Sequence, residues 1–165
     1  MKKYLFFVGV VALFAFAPYG GKNNTTTIKN KNFSEKILKE KTILEISDSI
    51  CNSIGVPPEL VREIGENESG WRCIRSQSGG TDFGDLQVID KTFKYWYDEL
   101  NLKGGKTRYN YLVVGIHYLK YNYDRYHSWE KARFSYARGS WRSKSTWTCL
   151  EEKFMGKINW SRYDS

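Results

Sequence analysis

The chain has 165 residues and a formal net charge of +8 at pH 7, and 16% of its side chains are Phe, Tyr or Trp. This length suits a single domain with a hydrophobic core. Its two histidines and three widely separated cysteines lack the close ligand pairs of a zinc site, so the composition argues against a zinc protein. The basic charge indicates an acidic partner, which could be nucleic acid, an anionic membrane or a bacterial wall.

The first 20 residues have the order of an export signal. Two lysines precede an apolar run over residues 4–17 that is short for a membrane span. Ala15 and Ala17 provide a small-residue cleavage site, but Pro18 disfavours cleavage, so an N-terminal membrane anchor is the alternative. We therefore expect a protein of the periplasm, the cell envelope or the medium.

The composition also predicts where the folded domain begins. Residues 21–33 are rich in Gly, Lys, Asn and Thr and lack apolar periodicity, which is typical of a flexible linker. We expect one domain over residues 34–165, and we expect it to be a monomer.

Two helices and an irregular lobe are predicted for the first half of this domain. Isoleucines at helical spacing mark a first helix that Ser34 could cap and that ends at Gly55: Ile43, Ile46, Ile50 and Ile54. Pro58 is well placed to begin a second helix, and Gly70 ends it. The glycine-rich and hydroxyl-rich stretch over 72–88 predicts a small hairpin or loop lobe.

The second half is predicted to be helical. One helix runs from Asp90 to about Leu102, a second spans 109–126, and a third runs from Ser128 to Gly139. In the tail, four side chains have helical spacing: Trp147, Leu150, Phe154 and Ile158. The fold class is therefore mainly α, a single helical domain with a small β or loop lobe, and this α+β outline resembles that of lysozyme-like folds.

The second helix carries a candidate catalytic acid. Glu68 follows Leu60, Val61 and Ile64 on one helical stripe, so its carboxyl group falls at the edge of the apolar face. Desolvation there, together with the negative end of the helix dipole, favours a neutral carboxyl that can donate a proton to a leaving oxygen. The alternative is an ordinary surface acid near a helix end.

The three cysteines leave two interpretations open. In an exported protein two of them could form a disulfide, and the sequence does not show which two. The alternative is that each is a buried thiol. The residues concerned are Cys51, Cys73 and Cys149.

Four short motifs occur in order and at suitable spacings. The chain has an ES pair at Glu68-Ser69, a serine at Ser78 six residues before the segment Gly84-Asp85-Leu86-Gln87-Val88, a G-x-x-Y-L helix at Gly115 with Tyr118-Leu119, and Tyr136 with Gly139. This set resembles the soluble lytic transglycosylase family of the lysozyme-like superfamily, over roughly residues 46–141.

The resemblance implies a peptidoglycan-cleaving enzyme that needs no cofactor or metal. It would break the bond between N-acetylmuramic acid and N-acetylglucosamine and leave a 1,6-anhydro sugar, with Glu68 as acid and then base. By similarity, Ser69 supports the glutamate or a sugar group, Ser78 and Gln87 contact substrate, and Tyr136 places its hydroxyl close to Glu68. Aromatic side chains that could stack on sugars are Trp71, Tyr95, Trp96 and Trp141.

The chain also departs from the family pattern. Asp85 stands at a normally apolar position, and Ala137 replaces the asparagine of the family's Y-N-A-G turn. Either Asp82 or Asp85 could act as a second carboxylate that activates water, which would give lysozyme-type hydrolysis instead of an anhydro product. A catalytically inactive wall-binding module is a further alternative. A nucleic-acid binder is disfavoured by the export signal.

Overall fold

The computed structural model describes residues 42–76 and 79–164. The predicted export segment over 1–20, the linker over 21–33, the capping residue Ser34 and the motif residue Ser78 lie outside these ranges. Within them the elements are, in order, α1 Ile43–Ile54, α2 Pro58–Ser69, β1 Ile74–Arg75, β2 Phe83–Gly84, α3 Asp90–Glu99, α4 Arg108–Tyr126, α5 Trp129–Arg138, a 3-10 turn Lys144–Thr146, α6 Cys149–Met155 and a 3-10 turn Trp160–Arg162. The mainly α fold class is confirmed.

Local sequence signals fix the ends of the first two helices. Thr42 caps α1 in a capping box with Glu45, and Gly55 ends it in the left-handed conformation. Pro58 occupies the first turn of α2, as expected, and Gly70 ends that helix with φ 61°. Three α2 side chains are at most 2% exposed: Leu60, Val61 and Ile64. The predicted apolar face of α2 is therefore confirmed.

The longest helix, α4, is the centre of the domain. It packs against α1, α3 and α5 and against β2. Its side chains from Asn110 to Ile116 are all buried, because neighbours cover more than one of its faces. Gly115 lies where Leu86 and Val88 cross the helix: a Cβ atom there would come within 2.8 Å of Leu86 Cδ1 and 3.1 Å of Val88 Cγ2.

The predicted small lobe after α2 is a two-stranded hairpin. β1 and β2 are antiparallel, with Ile74 opposite Gly84 and Arg75 opposite Phe83. Just after β2, the Asp85 carboxylate accepts two hydrogen bonds from Arg108, at 2.8 Å from Nε and 2.6 Å from Nη2. This pair ties the lobe to the first turn of α4 and holds the acid that the motif comparison identified as unusual.

The C-terminal segment folds back on the glutamate helix. Tyr163 and Arg162 both donate hydrogen bonds to Glu63 of α2, at 3.0 and 2.7 Å. Asp164 accepts hydrogen bonds from the side chain of Ser128 and from the first backbone N–H groups of α5, so it caps that helix.

The helical spacing of apolar residues in the C-terminal segment indicates only part of the structure there. A helix does form there, but it spans only Cys149–Met155, and Leu150 is 74% exposed. Helical spacing alone therefore does not identify the buried face, because this helix buries Glu151 and Met155. In the described part of the chain, no helix is both long enough and apolar enough to cross a membrane.

The three cysteines are free thiols, so no disulfide joins any pair. Cys51 is buried in the core, Cys73 is half-buried and Cys149 is exposed. Burial raises the pKa of Cys51 to about 12, and it also raises the pKa of Cys73. Of the two sequence interpretations, a buried thiol holds for Cys51.

Candidate active site

A cleft of about 610 Å³ opens where α2, the hairpin lobe and the ends of α3, α5 and α6 meet. The lobe and the start of α3 provide one side of it, and α5 and α6 provide another. Its lining consists of Glu68, Asp82, Gln87, Val88, Ile89, Thr92, Tyr118, Tyr136, Ala137, Arg138, Gly139 and Phe154. Three of the predicted site residues therefore share one cavity: Glu68, Gln87 and Tyr136.

Glu68 reaches this cleft from the last turn of α2. Its side chain is 20% exposed, in line with the expected position at the edge of the apolar face. One carboxylate oxygen, Oε1, accepts a hydrogen bond from Nη2 of Arg133 on α5. The other oxygen has no hydrogen-bond partner among the described residues. Arg133 thus fixes the carboxyl group through Oε1, and Oε2 is available to contact a ligand in the cleft.

The guanidinium of Arg133 is itself buried, with only 2% of its side chain exposed. It lies 4.3 Å from the ring centroid of Phe154 and 5.6 Å from that of Tyr136, so two aromatic faces cover it. Its Nη1 atom is buried without a hydrogen-bond partner in the described structure. Arg133 and Glu68 thus form an ion pair at the wall of the cleft.

Sequence reasoning missed Arg133, although a signal was present. Arg133 follows the buried Trp129 by four residues, so it lies on the same, buried face of α5. A charged side chain at such a position needs a charged or hydrogen-bonding partner. The spacing could therefore have predicted a buried ion pair, but it could not have named Glu68 as the partner.

Tyr136 lines the cleft, but its hydroxyl is already engaged. The hydroxyl donates a hydrogen bond of 2.8 Å to the backbone carbonyl of Leu86 and makes none to Glu68. Burial raises the pKa of Tyr136, and the negative charge of Glu68 raises it further. Tyr136 is thus a neutral phenol that joins α5 to the loop after β2, beside the candidate acid.

Gln87 adopts the left-handed conformation, with φ 49°. Its side-chain amide nitrogen donates to the carbonyls of Ile74 and Gly84, at 3.0 and 2.8 Å. These bonds fix the side chain across the hairpin and leave its carbonyl oxygen as the group that could accept from a ligand.

Ser69 does not line the cleft. It is 4% exposed, and its hydroxyl donates a hydrogen bond of 2.8 Å to the backbone carbonyl of Asp85. The expected sugar contact therefore does not fit this position. The other role, support of the glutamate, fits better because the bond fastens the last turn of α2 to the lobe.

The two candidate second carboxylates have different environments. Asp82 lines the cleft together with Glu68. Asp85 has a fully buried side chain that is paired with Arg108, so it is not available to activate a water molecule in the cleft. A catalytic role for Asp85 is therefore wrong, and Asp82 is the acid that remains. Among the described residues, no group of three His, Cys, Asp or Glu side chains could hold a metal ion.

The candidate sugar-stacking residues also differ in how close they lie to the cleft. The Trp71 ring packs over Gly65 on α2 and donates from Nε1 to the carbonyl of Arg62. Trp141 belongs to an aromatic cluster with Phe134 and Trp147. Neither one lines the cleft. The ring centroid of Trp96, in contrast, lies 6.4 Å from that of Tyr118, and Tyr118 lines the cleft.

A protein-family model matches this part of the chain. The model of the transglycosylase SLT domain matches residues 47–149 of the chain. The chain belongs to the SLT transglycosylase family. The match includes α2 with Glu68, the hairpin lobe, and α5 with Arg133 and Tyr136. A comparison with curated proteins returned no match.

Membership in the SLT family identifies the general function of the domain. Domains of this family are of the lytic transglycosylase type and act on peptidoglycan. The family match ends at residue 149, so Phe154, which covers Arg133 and lines the cleft, comes from outside the matched region.

Proposed function

We propose that the protein is a lytic transglycosylase that cleaves the bond between N-acetylmuramic acid and N-acetylglucosamine. The observation that carries this proposal is a single half-buried glutamate in the cleft of an SLT-family domain. Glu68 protonates the glycosidic oxygen as the bond to the anomeric carbon breaks. The resulting carboxylate then takes the proton of the muramoyl 6-hydroxyl, whose oxygen bonds to the anomeric carbon and closes a 1,6-anhydro ring.

Arg133 suits the first half of this reaction sequence. When Glu68 gives up its proton it becomes an anion beside a guanidinium that is already in place, and such a preformed cation stabilises developing negative charge without reorganisation. The proton itself is best carried by Oε2, since Arg133 donates to Oε1. Arg133 therefore orients Glu68 so that one oxygen holds the proton and the other stays paired.

Hydrolysis of the same bond is the second candidate, because Asp82 lines the cleft together with Glu68. A second carboxylate can position and deprotonate a water molecule that attacks the anomeric carbon. The product would then carry a reducing end in place of an anhydro ring. The chain has the side chain that this reaction requires, so the two outcomes must be distinguished by the product.

The experiment is digestion of purified peptidoglycan followed by mass spectrometry of the fragments. We expect anhydro-muramic ends, and we expect E68Q to lower the rate by about 10²-fold to 10⁴-fold. E66Q is the matched control, because Glu66 is an exposed acid on the same helix. Reducing ends would replace the transglycosylase by a hydrolase, and wild-type activity in a folded E68Q would refute Glu68 as the acid.

We also propose that the protein is exported. The supporting features are the lysine-led apolar run over 4–17 and a substrate that lies outside the cytoplasm. Fractionation of cells that express the full chain, with mass measurement of the product, tests this. A processed or membrane-attached protein outside the cytoplasm is expected, and an unprocessed cytoplasmic protein would contradict the proposal.

A further inference from the structure

A smaller pocket of about 220 Å³ lies between the start of α5, the two 3-10 turns and α6, and we call it the second pocket. Its lining includes Glu130, Lys144, Trp147, Glu152, Met155 and Trp160. The catalytic cleft takes Phe154 from α6, whereas the second pocket takes Glu152 and Met155, which are three residues apart on another face of that helix. Among the described residues, the two cavities have no lining residue in common.

The second pocket is built largely from the part of the chain that follows the family match. The match ends at residue 149, and three of the lining residues come after it: Glu152, Met155 and Trp160. Membership in the SLT family therefore does not account for this pocket, and its chemistry has to be derived from its own side chains.

Two indole rings and a thioether form the apolar walls of the second pocket. Trp147 stacks on the buried ring of Phe134, with the ring centroids 4.8 Å apart and the planes at 9°. Trp160 is fixed by a hydrogen bond of 2.9 Å from its Nε1 to the backbone carbonyl of Met155. These contacts hold both rings in place, so the walls are formed before any ligand binds.

The polar part of the second pocket is acidic, although the chain as a whole has a net charge of +8. Glu130 and Glu152 contribute two carboxylates, and Lys144 contributes one ammonium group. Glu130 is paired with Lys144, whereas the Glu152 side chain has no ion-pair or hydrogen-bond partner in the part of the chain that the structure describes. The pocket therefore has one carboxylate in excess, and it is suited to a cation.

Lys144 shows which kind of cation fits. Its Nζ lies 2.7 Å from Oε1 of Glu130 and 5.7 Å from the ring centroid of Trp147. A carboxylate next to an aromatic ring is a favourable environment for a primary ammonium group. The side chain of Lys144 is nevertheless 60% exposed, so a ligand could displace it. The second pocket also contains Glu152 and Trp160, a carboxylate and an indole that pair with no Lys or Arg of the described chain.

From this arrangement we propose that the second pocket binds the side-chain ammonium group of a diamino acid in the peptides of peptidoglycan. The choice of peptidoglycan as the source rests on the proposed function, whereas the choice of an alkylammonium group rests on the pocket alone. A volume of about 220 Å³ is below the about 300–1,000 Å³ of typical ligand pockets, so it suits one side chain and not a sugar chain. Binding there attaches the enzyme to the wall at a second point and raises its overall affinity for intact wall.

The ligand class is tested by NMR titration with Nα-acetyl-lysine amide, followed at the indole N–H signals of Trp147 and Trp160. Nα-acetyl-norleucine amide is the matched probe, because it lacks the ammonium group. We expect only the lysine probe to bind, with affinity at least about fivefold weaker in E152Q and within about twofold of wild type in E66Q. Equal binding of both probes, or wild-type affinity in E152Q, would overturn the proposal.

Lys144 provides a test with the opposite sign. K144A removes the ammonium group that already contacts Glu130 and Trp147, so the lysine probe should bind at least about twofold more tightly. K153A is the matched control, because Lys153 is an exposed lysine of α6 that does not line the second pocket, and its affinity should equal that of wild type. Weaker binding in K144A would contradict the proposal, since Lys144 would then hold the ligand instead of occupying its place.

Sedimentation with insoluble peptidoglycan tests the source of the ligand. Acetylation of the free amino groups of the wall should weaken binding of the wild-type protein at least about threefold and leave binding of E152Q unchanged. Acetylation also makes the wall more acidic, which would strengthen non-specific binding of a basic protein, so the direction of the change is informative. An equal response of both proteins would overturn peptidoglycan peptides as the source. A digest without anhydro-muramic ends would refute the proposed reaction and leave the second pocket unaffected, because these measurements record binding only.

Discussion

Arg133 on α5 donates to the carboxylate of Glu68 on α2 from a position that is almost fully buried. The two residues are 65 positions apart in the chain, so the pair forms only when the helices pack. Its partners in space, Phe154 and Tyr136, exclude water from the guanidinium. The candidate catalytic acid is therefore also a structural group, and its replacement should affect stability as well as turnover.

The first prediction is that E68Q destabilises the protein. The substitution leaves the buried cation of Arg133 without its counter-ion, and removal of one partner from a buried pair costs about 3–5 kcal/mol. Because the Glu68 side chain is 20% exposed, we expect about 2 kcal/mol. Urea unfolding measures this, and E66Q should stay within about 0.5 kcal/mol of wild type.

A double-mutant cycle with R133M shows whether that cost comes from the pair. R133M removes the cation, so E68Q should cost at least about 1 kcal/mol less in that background. Equal costs in both backgrounds would mean that the two side chains do not interact in solution.

The second prediction concerns Asp85, which we assign to structure. D85N removes the charge that balances Arg108 at a fully buried side chain, and Arg108 is 41% exposed, so we expect a loss of about 2 kcal/mol in the free energy of unfolding. Under conditions in which D85N is still folded, it should release the same peptidoglycan product as wild type. D82N is the comparison: it should leave stability within about 0.5 kcal/mol and alter the reaction only if hydrolysis occurs. A stable but inactive D85N would refute the structural assignment.

The third prediction tests the close approach at Gly115. In G115A the new methyl group meets Leu86 and Val88, and overpacking of this kind costs about 1–3 kcal/mol, part of which the better helix propensity of alanine offsets. We expect a net loss of about 1 kcal/mol by thermal or urea unfolding. The loss should shrink in an L86A background, where the nearest atom is absent. An unchanged loss there would show that the contact is not its source.

The fourth prediction is a pH dependence of stability at Glu151. Hydrogen bonds from the backbone of Thr148 and from Arg142 lower the pKa of this carboxyl from 4.5 to about 2. A lowered pKa stabilises the fold above the unfolded-state value, and this contribution disappears as the pH falls from about 4.5 towards 2. E151Q should therefore have a lower Tm than wild type at pH 7, and the two curves should converge on acidification.

The matched control for that titration is E152Q, on the exposed side of the same helix, which should follow wild type throughout. A constant difference between E151Q and wild type from pH 7 to pH 2.5 would contradict the assignment.

The local features of the fold could be predicted from the sequence because they depend on neighbouring residues. Pro58 and Gly70 bounded α2, and the spacing of Leu60, Val61 and Ile64 placed Glu68 at the edge of the core. The same kind of signal was less useful at Leu150, because a short helix near the end of the chain buries whichever face its tertiary neighbours cover.

The partners of buried charges could not be predicted from the sequence. In the sequence, Asp85 is an acid at a normally apolar position. In the structure its carboxylate accepts a hydrogen bond from Arg108, 23 residues later in the chain. Arg133 likewise finds Glu68 only through packing of α2 against α5. Such pairings depend on three-dimensional proximity, whereas helical and strand periodicities report only which face of an element is covered.

Phe154 shows that the boundary of a family motif need not be the boundary of a usable protein fragment. The matched region stops at residue 149, yet this later ring covers the cation that holds Glu68, and Tyr163 and Arg162 attach the following segment to α2. A recombinant fragment trimmed to the matched region would expose the guanidinium on one side. Expression designs, domain fusions and deletion series should therefore retain residues 150–164.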